Sequence, residues 1–119
     1  MTNITIIDTQ CANLSSVKFA FDRLGYHAEI TRDIQKIQAA DKLLLPGVGT
    51  AMAAMRNLQE RKLIDCIRNA TQPMLGICLG MQLMTEFSTE GNVATLRLMR
   101  GQTELIPNSG LPLPHMGWN

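Results

Sequence analysis

Aromatic side chains are scarce: Phe, Trp and Tyr together make up 4% of the chain, with one Trp and one Tyr. That leaves too few flat faces for a base-stacking platform. An excess of either charge is also missing. Eleven Lys and Arg stand against ten Asp and Glu, a formal net charge of +1. Neither nucleic acid nor an anionic membrane is therefore expected as the main partner. No apolar run approaches the ~20 residues of a membrane span. The opening MTNITIIDTQ reads as a strand, not as a basic segment followed by an apolar run. Cysteines number three, an odd count without metal-ligand spacing. This points to a reduced, cytoplasmic protein with no disulfide framework, and no metal or cofactor is expected. Repeats, low-complexity segments and charge blocks are absent. The 119 residues fit one small domain.

What is present is an alternation. Ile4 to Asp8 is a short apolar run suited to a buried strand. A loop and a helix follow, with Asn13 as N-cap, an apolar face of Leu14, Val17, Phe21 and Leu24, and Gly25 as the stop. YHAEITRD reads as a second strand, with Asp33 capping a brief helix. KLLLPGVG reads as a third strand broken by Pro46. The pattern from Thr50 to Asn69 is helical: Met52, Met55 and Leu58 share a face, then Leu63, Ile64 and Ile67. PMLGIC reads as a fourth strand, with Pro73 at a first position that needs no ladder N–H, and LGMQLMTEF as the helix after it. Repeated strand–helix alternation argues a three-layer α/β fold, an open, mostly parallel sheet covered on both faces. Right-handed crossovers then place the loops after Asp8, Leu45 and Ile77 on one carboxyl edge, where such sheets bind ligands. Beyond Ser88, Gly and Pro come at close intervals. Val93 to Arg100 and Gln102 to Ile106 could form a hairpin around Gly101.

Two stretches on that edge carry chemistry. In LGICLG, Cys78 sits where a strand turns into a helix, between Gly76 and Gly80. Such a corner holds a side chain clear of its own backbone and supplies an N–H just after it, from Leu79. The helix N-terminus favours thiolate, and the flanking glycines let the turn tighten. This is the logic of the G-x-S-x-G elbow with sulfur in place of oxygen. In LLLPGVGT, Gly47, Val48 and Gly49 form a loop whose unblocked N–H groups can face a developing oxyanion. Cys66 reads as a small core filler and Cys11 as structural.

LLLPGVGTA followed by LGICLGMQL resembles the class I glutamine amidotransferases. DTQCANLSSVK and the terminal LPLPHMGWN narrow the resemblance to the branch that serves histidine biosynthesis. It covers Ile4 to Asn119. It implies a flavodoxin-like sheet of which these residues form the N-terminal portion, the C-terminal part being incomplete. It implies that Cys78 attacks the side-chain amide of glutamine, forms a thioester and releases ammonia. Leu79 and the Gly47–Val48 peptide would be the oxyanion donors. Gly49 and Gln82 would hold the substrate, and Glu90 would contact its α-amino group. Ammonia would pass to a (βα)8-barrel cyclase subunit, near an interface made by His115, Gly117, Trp118 and Asn119. On the residues alone, Gln82 reads as a surface helix position, Glu90 as a solvated loop charge, and Trp118 equally as packing or anchor.

Two departures from the family matter. Its catalytic histidine and glutamate come from an H-x-E motif downstream of PHMGWN, outside these residues. His27 precedes the second strand, at the opposite edge, and His115 matches the interface motif. Little glutaminase activity is therefore expected of the 119 residues alone, and a non-catalytic remnant keeping fold and partner surface is the alternative. An exposed sheet edge and apolar patch are expected as well. Gln10 stands where the family often has glycine, which makes a positive φ less comfortable there.

Overall fold

A computed structural model of the chain describes residues 2–10 and 13–104. Four strands form the main sheet: β1 (Ile4–Ile7), β2 (Ala28–Thr31), β3 (Lys42–Gly47) and β4 (Met74–Cys78). All pairings are parallel, in the order β2-β1-β3-β4. The carboxyl ends of all four therefore share one edge, as the alternation predicts.

The helices between them are α1 (Leu14–Arg23), α2 (Ile34–Ala39), α3 (Ala51–Glu60), α4 (Ile64–Arg68) and α5 (Leu79–Leu83). Three have side-chain N-caps, Asn13 and Asp33 as expected from the sequence and Thr50 besides. Asn13, Asp33 and Thr50 accept from the backbone N–H of Ser16, Gln35 and Ala53. One face of the sheet presents Ile4, Ile6 and Leu44 to Leu14, Val17 and Phe21 of α1. The other presents Ile7, Leu43 and Leu45 to a larger cluster that includes Ile37, Leu58, Ile67 and Leu83. Period-two alternation along β1 and β3 divides the residues between the two cores. Each fully buried Leu or Ile contributes roughly 1.5–3 kcal/mol.

Several elements differ from the sequence reading. Leu24 does not complete the α1 stripe; it is 72% exposed, past the end of the helix. Met52 is exposed too, and Ala51 and Ala54 are buried beside Met55 and Leu58. Pro46 does not break β3. It sits within the strand opposite Ile77, and its missing N–H is tolerated near the strand end. The span from Thr50 to Asn69 is two helices. Lys62 lies at φ +60 between them. Its N–H bonds to Gln59 O at 3.1 Å and that of Leu63 to Leu58 O at 2.9 Å, a Schellman stop that pairs buried Leu58 with buried Leu63. Gly25, at φ +87, closes α1 in the same way.

A side chain in this left-handed region costs about 1–2 kcal/mol. Lys62→Gly is expected to raise stability by roughly 0.5–1 kcal/mol, since the flexible unfolded glycine offsets part of the relief. A thermal melt a few degrees higher is the expected reading. An unchanged or lower midpoint would show that Lys62 bears no such cost.

α5 is shorter than LGMQLMTEF suggests, ending at Leu83. The chain then enters a small second sheet of β5 (Phe87–Ser88), β6 (Val93–Ala94) and β7 (Gln102–Thr103). β6 pairs antiparallel with β5 and β7 parallel with β5, so no hairpin forms around Gly101. Ile106, in the expected hairpin, lies outside the described residues. Leu96 returns to the large core, and its carbonyl accepts from the Arg68 guanidinium at 3.0 Å. Among the described residues β4 has no strand on its outer side. Leu75 and Ile77 are 58% and 37% exposed beside Val17, Phe21 and Leu24. This is an unpaired edge with an adjoining apolar groove.

Candidate active site

The ends of β3 and β4 bring the two sequence stretches together. The register sets Pro46 against Ile77 and Gly47 against Cys78. A Cβ built on Gly47 would stand 3.0 Å from Gly80 N and 3.1 Å from Leu79 Cβ. The proline–glycine segment thus lies directly on the turn that follows the thiol.

Cys78 is the last residue of β4 and the N-cap of α5, at φ +54 and ψ −121. A β-carbon makes this conformation cost on the order of 1–3 kcal/mol, so the surroundings must enforce it. Strand pairing fixes one side of the residue, and buried Leu79, Gly80 and Leu83 fix the other. The glycines are required by close approach. A Cβ on Gly76 would lie 2.7 Å from Met81 Cα, and one on Gly80 would overlap the Leu45 carbonyl oxygen. The side chain held this way is solvent-exposed. Cys66, by contrast, is half-buried against the large core, and burial pushes its thiol pKa up. That matches its reading as a filler.

Val48 is 55% exposed, and Gly49 adopts φ +98 with nothing near the position a Cβ would occupy. The loop is open to its surroundings at these two residues. Gln82 is partly buried on α5, and Glu90 is exposed. Glu90 precedes Gly91, whose Cβ position lies 3.4 Å from Met52 Cε in the first turn of α3. The structure therefore sets Glu90 near the helix that leaves the Gly47–Thr50 loop. His27 is exposed at the amino end of β2, away from this edge. Cys11, His115, Gly117, Trp118 and Asn119 lie outside the described residues.

Sequence reasoning missed the support behind the loop. The Thr9 side chain is fully buried, and its hydroxyl donates to Pro46 O at 3.3 Å. Arg61 approaches the Asp8 carboxylate at 3.8 Å. Gln10 does adopt a positive φ, +59, and its N–H donates to Asp8 Oδ1 at 3.0 Å. Nothing local in the sequence signals the Thr9 and Arg61 contacts, because each joins residues far apart in the chain. No group of three or more His, Cys, Asp or Glu that could hold a metal ion occurs among the described residues, and no helix there is long and apolar enough to cross a membrane.

An exposed thiol on a strained strand–helix corner, with a glycine loop against it, defines a nucleophile-elbow site on an α/β sheet. The class I glutamine amidotransferase model matches residues 4–118, and the chain belongs to that family. Within it, the chain is 76% identical over all 119 residues to the imidazole glycerol phosphate synthase subunit HisH of Haemophilus influenzae, covering 60% of that protein. It is 79% identical over 114 residues, 96% of this chain and 59% of the relative, to the subunit of the same name from Mannheimia succiniciproducens. The Vibrio cholerae subunit is 55% identical over 123 residues, covering 98% of this chain and 61% of the relative. The chain thus spans about 60% of the length of these curated relatives.

Proposed function

We propose that the chain is the N-terminal portion of a single glutamine amidotransferase domain, the glutaminase subunit of a cytoplasmic imidazole glycerol phosphate synthase. Cys78 Sγ adds to the side-chain carbonyl carbon of glutamine. The oxyanion is met by the Leu79 N–H and, after reorientation, by the Gly47–Val48 peptide. Collapse expels ammonia, which takes up a proton as it leaves, and water then cleaves the γ-glutamyl thioester to glutamate. Gly49 and Gln82 hold the substrate, and Glu90 receives its α-amino group. Ammonia passes to a (βα)8-barrel cyclase subunit that docks near His115, Gly117, Trp118 and Asn119. The observation that carries this reading is the exposed Cys78 at φ +54, in register with Gly47, in a chain so similar to HisH subunits.

The 119 residues hold two histidines, and neither is placed as the base. His27 lies at the far edge, and His115 belongs to the proposed interface. Alone, these residues are a formed thiol corner with little turnover.

A chloroketone analogue of glutamine tests the corner directly. It is expected to alkylate Cys78 faster than Cys66 or Cys11, on the order of tenfold or more, because a thiol in a site that binds the glutamine part of the reagent reacts ahead of thiols outside it. Peptide mapping after a short exposure reads the result. Labelling of Cys78 no faster than of the other two would remove the glutaminase reading.

A further inference from the structure

We infer that Thr9 is a positioning residue for the oxyanion loop: its buried hydroxyl holds the Pro46 carbonyl and so fixes the end from which the Gly47–Val48 peptide turns. This rests on the glutaminase reading and assigns the loop a support on β1.

Three observations define a boundary between held and free backbone. Pro46 has its φ locked by its ring and has no N–H. Its carbonyl is held by Thr9 across 37 residues of sequence. Gly47 is confined next, with Gly80 N and Leu79 Cβ at the limit of contact for an added Cβ. Beyond it confinement stops: Val48 is exposed, and Gly49 at φ +98 has open space around it. The first peptide past the held residues is Gly47–Val48, the one whose N–H must meet the oxyanion. The Gly47–Val48 peptide must reorient to donate, and a fixed Pro46 end confines that turn to one peptide plane, which keeps the reorganisation at the moment of reaction small. Freeing the Pro46 carbonyl lets the Pro46–Gly47 peptide plane rock and spreads the orientation of the next one. Thr9 is rooted just past β1, where Asp8 N–H still bonds to Thr31 O at 3.0 Å and Arg61 approaches the Asp8 carboxylate. The anchor therefore sits on the central part of the sheet.

The test compares two electrophiles on Cys78 in the whole 119-residue chain. The chloroketone analogue of glutamine forms a tetrahedral adduct whose oxyanion needs the loop; sulfur then displaces chloride. Iodoacetamide alkylates by direct displacement of iodide and needs no oxyanion donor. Thr9→Val is expected to lower the chloroketone-to-iodoacetamide rate ratio by at least about tenfold, part of the roughly 10²–10³ lost when a donor is removed outright. Thr9→Ser is expected to keep it. A ratio unchanged in Thr9→Val overturns the inference. If the unsubstituted chain shows no chloroketone preference, the glutaminase reading fails, and hydrogen exchange at the Val48 amide decides the anchor separately. Faster exchange in Thr9→Val, restored in Thr9→Ser, upholds it; equal exchange overturns it. Should Thr9→Val not fold, Thr9→Ala takes its place, and failure of both to fold overturns the inference in favour of a purely structural hydroxyl.

Discussion

Gly80→Ala is expected to cost about 3 kcal/mol or more, a large share of the roughly 5–15 kcal/mol that holds a small domain together. The added Cβ would overlap the Leu45 carbonyl oxygen and stand 2.6 Å from its carbon and 3.1 Å from the Pro46 carbonyl carbon. These are backbone atoms inside the sheet, and no rotamer change can move them. α5 would have to lift from β3, withdrawing Leu79 and Leu83 from the core. The turn at Cys78 would relax with it, so labelling by the glutamine chloroketone should fall alongside the denaturation midpoint. Met81→Ala, at an exposed position on the same helix, supplies the comparison and should change stability by no more than about 0.5 kcal/mol. A loss below about 1 kcal/mol for Gly80→Ala would mean that the close approach of α5 to β3 is wrong.

The 119-residue chain is expected to hydrolyse glutamine at least about 10⁴-fold more slowly than a full-length HisH subunit assayed beside it, each with the proposed cyclase partner added. The physical reason is the proton. Thioester formation needs a group that takes the thiol proton and returns one to the departing ammonia. In a serine protease, removing the base costs roughly 10⁶ in kcat, and what remains comes from the oxyanion hole and binding. On the proposed reading, in which neither histidine of these residues is the base, the chain should thus still take the chloroketone at Cys78 while releasing little glutamate. A rate within about tenfold of the full-length subunit would show that His115 or another group within these residues serves as the base. It would make the remnant reading untenable.

Much of the fold, and the exposed thiol corner, is legible in the sequence. Alternating strands and helices gave the parallel sheet, and G-x-C-x-G gave the exposed thiol, because both depend on local pattern and local turn chemistry. The elements that escaped depend on what the pattern does not encode. Lys62 ends α3 as a glycine would, but a lysine sends no stop signal. Pro46 reads as a strand breaker, yet it is accommodated near the end of β3, where its carbonyl meets Thr9. A hairpin around Gly101 pairs neighbours in sequence, whereas β7 finds its partner in β5. The support behind the Gly47–Gly49 loop escaped for the same reason, since Thr9 and Pro46 meet only once β1 and β3 are side by side.

The order of strands also bears on how the molecule is made. β2 adds to β1, β3 to the other side of β1, and β4 to β3; β6 and β7 both join β5. Each newcomer after the first in either sheet finds its neighbour already synthesised. As the polypeptide leaves the ribosome, none of these pairings has to wait for a segment still to be translated.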